Sequence, residues 1–568
     1  MTNKTIISTG NSLTLAAILF SSLTLGLPAY SQVVPGSAQP ERVEERFRNR
    51  DLTPGQTTAP ATNIEVPQTA IGGKLAKQFT LQHVEIEGVT VYKPGAFDGL
   101  FKEELGHTIT LAHAREIARG ITTRYRTDGY VLSQAVIPNQ DLTTGTLKIR
   151  VVEGFVDKVM IENDNPNRDR RNLIAAYAEK IKNDRPLNTR TLERYMLLIT
   201  DLPGVTARAI IKPSPSTFGA ADLTVQVRNK GIDASATLDN RGNKFVGPLQ
   251  AQLTATENSL AGLDERTTIR GINTIPVDDL HFWDIQHEEQ IGTEGTRITL
   301  LAAFTQTHPG DALSDLDIKG TSDDYAITVT HPFLRSRAEN FTGRIVFDAR
   351  DTESDALGVR LSNDRVRAIR AGGNYDTGDR FNGVDMVDLS VSQGTPWLDA
   401  TSGPGTSRFD ATDGFTKFNA DLSRLQNLPH GFSFLTAATG QYSNHPLFTS
   451  EQLALGGVGF GQAYDSGEVS GDSGIAGRAE LRYGQPVGAN WFNSYQLYGY
   501  YDIGTVHLDE QTAGSTSDLS LASAGLGVRA NFTPNLYGYG EVGFPLTRDV
   551  ASEGNKDPRI FFSITGRY

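Results

Sequence analysis

The 568-residue chain contains no cysteine. That excludes a disulfide framework, a thiolate metal site and a cysteine nucleophile. It also lacks any run of about 20 apolar residues, the length a membrane-crossing helix needs. A membrane β-barrel is untouched by that absence, because its strands are only half apolar. Basic residues are outnumbered, 53 to 66, for a net charge of -13. A general nucleic-acid binder would carry a basic stripe instead. No phosphate-cradling loop, paired-glycine dinucleotide turn or zinc-binding helix occurs, so no cofactor and no metal are expected. His281 and His287 lie six apart in a strand-like segment, a separation of about 20 Å that one metal ion cannot bridge.

What is present begins with a short apolar core, Leu13 to about Leu27, after a weakly basic start at Lys4. Ala29-Tyr30-Ser31 offers small residues for cleavage, so residues 1–31 form a secretory signal and Gln32 opens the mature chain. Residues 32–76 are rich in Pro, Gln, Thr and Ala. Within them Pro40–Asp51 is highly charged, with Val43 and Phe47 on one helical face. Two readings stay open for it, a solvated linker or a docked plug helix.

From Phe79 the pattern becomes regular. Phe79–Ile86 alternates as a strand. Thr110 caps a helix whose stripe is Leu111, Ala114, Ile117, Ala118, Ile121 and Tyr125. Tyr130–Ile137 and Gly145–Val152 follow as strands. A similar order returns as a strand at Phe155–Ile161, helices at Leu173–Ile181 and Thr189–Ile199, and strands at Val205–Ile211 and Asp222–Val227. The spacing predicts two modules of order β-α-α-β-β, over 77–154 and 155–229.

Beyond about Gly231 no helical period remains. About sixteen alternating segments fill residues 230–568. Phe418, Ala420 and Leu422 share one face, against Lys417, Asn419 and Asp421. Phe562, Ile564 and the terminal Tyr568 share another, against Ser563, Thr565 and Arg567. A period of two places every second side chain on one surface. A secreted sandwich or propeller would also bury one such face. Charge recurring on the opposite face, strand after strand, instead predicts an all-β, 16-stranded antiparallel transmembrane barrel with a wet lumen, preceded by α+β domains.

These residues resemble a known family. The two modules look like POTRA domains. The whole mature chain looks like a TpsB transporter of two-partner secretion, the haemolysin secretion/activation family. Gly459-Phe460-Gly461-Gln462-Ala463-Tyr464, with Gly471 and Asp472, is similar to the tip of the family's long extracellular loop, here about 443–473. The family motif places Arg-Gly-aromatic at the tip. This chain has Gln462, Ala463 and Tyr464. The resemblance implies that the tip pairs with an Asp on the barrel wall, in a motif intact here as Tyr500-Tyr501-Asp502-Ile503-Gly504. Alternation points Asp502 into the lumen. Gln462 would give it only a neutral-to-charged hydrogen bond, so Arg478 or Arg482, on the inner face nearby, is the alternative partner. Leu238-Asp239-Asn240-Arg241-Gly242 is similar to the family's first barrel strand and turn. Gly471-Asp472-Ser473-Gly474 also matches a protease nucleophile segment, but over four residues with no His context, so no catalytic residue is assigned.

The resemblance implies a non-enzymatic protein of the Gram-negative outer membrane with its POTRA domains in the periplasm. It would translocate a large secreted exoprotein of adhesin or haemolysin type without ATP. Expected partners are the unfolded client, outer-membrane lipid and the barrel assembly machinery for its own insertion. An outer-membrane protein assembly factor, or a passive porin or receptor, is the alternative. Two modules rather than five, behind a Pro/Gln-rich linker, favour export.

Overall fold

The computed structural model describes residues 34–47, 53–54, 62–64, 78–275, 279–509 and 517–568. The expected signal and the mature start at Gln32 lie outside the described residues. Helix α1 spans Pro40–Phe47. Pro40 suits its first turn, where no amide partner is lost. So charged a segment does not hold a helix alone. Here α1 is buried inside the barrel at Pro40, Glu41, Arg42, Val43 and Glu44, and the rest of the expected segment, 48–51, lies outside the described residues. A three-residue strand, β1 (Thr62–Ile64), follows in the linker.

The first periplasmic unit holds β2 (Gln78–Thr80), β3 (His83–Glu87), β4 (Thr108–Thr110), α2 (Leu111–Thr127), β5 (Gln134–Val136) and β6 (Thr146–Val152). Thr110 Oγ1 accepts the His113 amide at 3.2 Å and starts α2. The buried stripe Ala114, Ile117, Ala118, Ile121 and Tyr125 covers the three-stranded sheet β3-β6-β5. This unit has one α-helix where two were expected. In place of the other lie single 3-10 turns at Asp98–Leu100 and Lys102–Glu104, in a stretch broken by Gly95, Gly99 and Gly106. The strand expected over Tyr130–Ile137 shrinks to β5, because a turn closes from the Ser133 amide onto the Tyr130 carbonyl.

The second unit holds β7 (Phe155–Asn163), α3 (Leu173–Asn183), α4 (Thr189–Thr200), β8 (Val205–Pro213) and β9 (Ala220–Asn229). Asp169 caps α3 by accepting the amides of Leu173 and Ile174. Tyr177, Ile181, Leu192, Met196 and Ile199 pack on Ala209, Ile211, Leu223 and Val225 of the sheet. Its strand order is β1-β8-β9-β7, so the linker strand β1 lies parallel along β8. The two units are tied by Thr189, whose amide and hydroxyl both reach the Gly129 carbonyl, at 2.9 and 2.7 Å.

The rest is a cylinder. Its strands are β10 (Ile232–Asp239), β11 (Leu249–Asn258), β12 (Glu265–Ile275), β13 (Leu280–Ile291), β14 (Thr296–Thr307), β15 (Lys319–Arg335), β16 (Glu339–Ala356), β17 (Val359–Gly378), β18 (Gly383–Gly394), β19 (Thr416–Asn427) and β20 (Phe432–Ser443). A loop carrying the small hairpin β21 (Leu453–Leu455) and β22 (Val469–Gly471) leads to β23 (Ser473–Ala489), β24 (Phe492–His507), β25 (Asp518–Thr533), β26 (Leu536–Pro545) and β27 (Arg559–Arg567). Among the described residues sixteen antiparallel strands close, β10 pairing with β27. Alternation sorts the faces. Phe418 and Leu422 are 53% and 48% exposed on the outside, while Lys417 and Asp421, each one residue before them, are buried within.

The second unit is bolted to the periplasmic turns. Arg335 grips Asp201 with two hydrogen bonds of 2.8 and 2.6 Å. Arg171 pairs with Glu289, and Lys180 with Glu294, both at 2.9 Å. Partial burial opposes ionisation of Glu294, but the hydrogen bond and charge of Lys180, with Tyr195 and Arg194, hold its carboxyl below the ordinary value. A depressed carboxyl contributes fully above its ordinary pKa and loses that contribution as pH falls through the lowered one. Docking should therefore loosen on acidification below the carboxylate range. Spin labels on α3 and on the periplasmic β17–β18 turn, introduced into this cysteine-free chain, should show a broader distance distribution at low pH. Glu294→Gln should broaden it at neutral pH and flatten the pH dependence.

Candidate functional site

The long loop between β20 and β23 folds back into the lumen and lies against β23 to β26. Its seat is built around Asp502, on the inner face of β24 and fully buried. Arg478, one strand away and directly opposite in register, donates from Nε to Asp502 Oδ1 at 2.7 Å and from Nη2 to Oδ2 at 3.2 Å. The loop tip contributes backbone: the amides of Gly461 and Gln462 both donate to Oδ2 at 3.0 Å. A carboxylate held by a guanidinium and two amides satisfies a buried charge that would otherwise cost several kcal/mol.

Gln462 occupies the tip through its main chain. Its side-chain Nε2 has no hydrogen-bond partner among the described residues. Arg478 also donates to the Val458 carbonyl and stands 5.8 Å from the rings of both Phe460 and Tyr500. Ala463 is buried, and Tyr464 hydrogen-bonds through its hydroxyl to the Ala522 carbonyl and to the amides of Thr547 and Arg548. Gly459 faces open space.

Two glycines are set by close approach. A Cβ on Gly504 would come within 2.6 Å of Leu455 Cδ1 and 2.7 Å of Ala476 Cβ, so the loop hairpin rests on bare backbone there. Gly461 has φ +90, and a Cβ would press on Leu521 at 2.7 Å. Tyr500 points to Glu541, which also accepts Tyr498. Arg482 does not reach Asp502. It pairs with Glu480 at 2.7 Å and bonds Thr53 of the linker.

A second hub sits at the loop's stem, close to Gly471. Asp472 is fully buried and accepts Arg408 Nη1 through both oxygens, at 2.9 and 2.7 Å, with the amides of Leu447 and Asp509. Arg408 belongs to the loop between β18 and β19, so two extracellular loops are buckled together. The sequence reading missed Arg408, as well as Arg241 and Arg559, which touch the tip. Only Arg241 lay in a quoted motif, and nothing local marked it as a loop contact. Phe562, Ile564 and Tyr568 stand on the outer, lipid-side face.

Helix α1 lies in the same lumen. Glu44 accepts Ser322 and faces Arg350 at 3.6 Å. Arg42 donates to the Gln452 carbonyl at 3.0 Å, and Arg46 to the Arg241 carbonyl at 3.0 Å. Phe47 packs on Phe282, ring centres 4.9 Å apart. The helix and the loop are thus in direct contact through Arg42 and Gln452.

The model of the haemolysin secretion/activation proteins ShlB/FhaC/HecB matches residues 219–530, more than half of the chain. This chain belongs to that family. A POTRA domain of the ShlB type matches residues 79–154. The outer membrane transporter CdiB of Escherichia coli O6:K15:H31 (strain 536 / UPEC) is 23% identical over 540 residues, spanning 92% of this chain and 89% of the relative. The heme/hemopexin transporter protein HuxB of Haemophilus influenzae (strain 86-028NP) is 22% identical over 440 residues, 76% of each chain. The solved structure of CdiB from Escherichia coli has the same fold, with TM-score 0.74 at 20% identity over 95% of this chain and all of that one. The family secretes partner exoproteins across the outer membrane. The chain is accordingly an outer-membrane transporter with its POTRA-type region in the periplasm.

Asp502→Ala should leave Arg478 buried without its counter-charge and destabilise the folded barrel by about 3–5 kcal/mol. Asp502→Asn, which keeps an acceptor for the tip amides, should cost less. Unfolding of the heat-modifiable barrel, read by electrophoretic mobility after graded heating, measures both.

Proposed function

We propose that the chain exports a large, unfolded exoprotein of adhesin or haemolysin type, captured in the periplasm and threaded through the lumen without ATP. The observation that carries this reading is how the lumen is closed. Helix α1 and the long loop fill it through hydrogen bonds and ion pairs to the wall and to each other, such as Glu44 with Ser322 of the wall and Arg42 with Gln452 of the loop. Polar groups released from such contacts can be taken over by water, so the helix is removable without unfolding the cylinder. A wall lined by Lys417, Asp421, Arg478, Glu480 and Arg529 then offers a polar path that does not hold apolar side chains.

Capture is assigned to the two periplasmic modules, 77–154 and 155–229, ahead of the barrel at 230–568 and behind signal and linker segments at 1–31 and 32–76. An extended client joins a sheet edge through main-chain hydrogen bonds and needs little sequence identity. The helix over Thr189–Ile199 is turned toward the barrel through Arg194 and Tyr195. Val205–Ile211 lies in β8, whose edge is covered by β1. The client adds along β8 as β1 leaves, or along β7, which exposes Met160 and Ile161. The loop seat at Asp502, Arg478, Gly461 and Gln462 serves as the latch that export must release. Phe562, Ile564 and Tyr568 meet lipid and present the last strand to the barrel assembly machinery during insertion.

Deleting residues 79–154 should abolish export of the client while a heat-modifiable barrel remains in the outer membrane. Export measured as client in the medium checks this. Export at the normal level from the deleted chain would remove the capture role.

A further inference from the structure

The tip of the long loop lacks the arginine its family motif supplies, yet its main chain is gripped on both faces. Amides point to Asp502. Carbonyls point to two arginines of the wall. Arg241 Nη1 donates to the Gln462 carbonyl at 2.9 Å. Arg559 donates to the Ala463 carbonyl at 3.2 Å and to the Asp465 carboxylate at 2.8 Å.

The positions of these arginines matter. Arg241 follows β10, and Arg559 opens β27. Those are the first and last strands of the cylinder, and their ladder has five registered pairs, from Ser235 with Arg567 to Asp239 with Ser563. The ladders on either side have eight each. The seam that closes the barrel is therefore shorter than its neighbours. Arg241 already crosses it: the guanidinium lies 4.0 Å from the Phe561 ring of β27 and bonds Glu541 and Tyr539 of β26, at 3.0 and 2.9 Å. Arg559 approaches the same ring, at 5.1 Å.

We propose that Arg241 and Arg559 are positioning residues that form a clasp, holding the loop tip by its carbonyl groups and so bridging the short β10/β27 seam from both sides. In this chain the cation that anchors the tip sits on the wall and not on the loop. Because the anchor takes main-chain oxygens, it does not depend on the residue at position 462. Withdrawing the tip removes one acceptor from each seam strand at once, so loop release and seam loosening are coupled. The clasp does not require any particular client, and its test does not use export.

With no native cysteine, Ser466→Cys gives a single reporter beside the tip. Full-length protein in outer-membrane vesicles is treated with a membrane-impermeant maleimide. Arg241→Gln and Arg559→Gln should each raise the labelling rate about tenfold or more, as expected for loss of at least one charge-assisted hydrogen bond. Arg241→Lys and Arg559→Lys should recover most of the protection, and Gln462→Ala should leave the rate unchanged. Coupling is read with a disulfide between Thr237→Cys and Thr565→Cys, which face each other across the seam with hydroxyls 2.9 Å apart. It should restore the heat stability lost in Arg241→Gln and, because coupled equilibria are reciprocal, part of the shielding of the tip. Should Arg241→Gln fail to assemble, Arg559→Gln on the opposite strand carries the same expectation. Unchanged labelling in the arginine variants, or equal exposure from Gln462→Ala, overturns the clasp.

Discussion

Hydrocarbon offers no partner to an amide or a carbonyl, so each unpaired backbone group there costs several kcal/mol. That constraint makes the strand ladder run all the way round until β10 meets β27. Closure then creates an interior that lipid cannot enter. Side chains on the inner face are freed from the demand for hydrophobicity, and alternate positions along each strand carry charge. The transport path follows from satisfying the backbone.

An open cylinder would leak, and the lumen is accordingly filled by two pieces of the chain itself. Both are held by polar contacts. Helix α1 is too charged to be stable in isolation and owes its order to Ser322, Arg350, Gln452 and the Phe282 ring. The long loop owes its position to carboxylates at two levels, Asp502 near the tip and Asp472 at the stem. The two fillers touch through Arg42 and Gln452, so displacement of one bears on the other. Below them the second periplasmic unit is fixed to the turns by Arg335, Arg171 and Lys180, which holds that unit beside the mouth.

The barrel was legible because lipid outside and water inside impose a period of two. Phe418 against Lys417, and Tyr501 against Asp502, state the inner and outer faces without knowledge of any partner strand. The helices were legible for the same kind of reason, since the stripe from Ala114 to Tyr125 answers to one sheet. The missing second helix of the first unit had its signal in Gly95, Gly99 and Gly106, outweighed by the expectation of a repeat. The contacts that close the lumen were not legible. Arg408 and Asp472 lie 64 residues apart, and Arg241 meets Gln462 across 221. Such pairs arise from the register of the closed sheet and leave no local pattern. Strand β1 was hidden as well, because three residues in a Pro- and Thr-rich linker have no period to read.

The claim on which the account rests is that an extended client moves inside the cylinder. It is tested by a client stalled in transit with a folded, disulfide-stapled domain. A photoreactive residue is placed at Asn419, on the inner face of β19, or at the neighbouring Phe418, on the outer face. The account predicts client crosslinks from position 419 and none from 418. Crosslinks from 418, or from neither while export of the unstapled client proceeds, would contradict it.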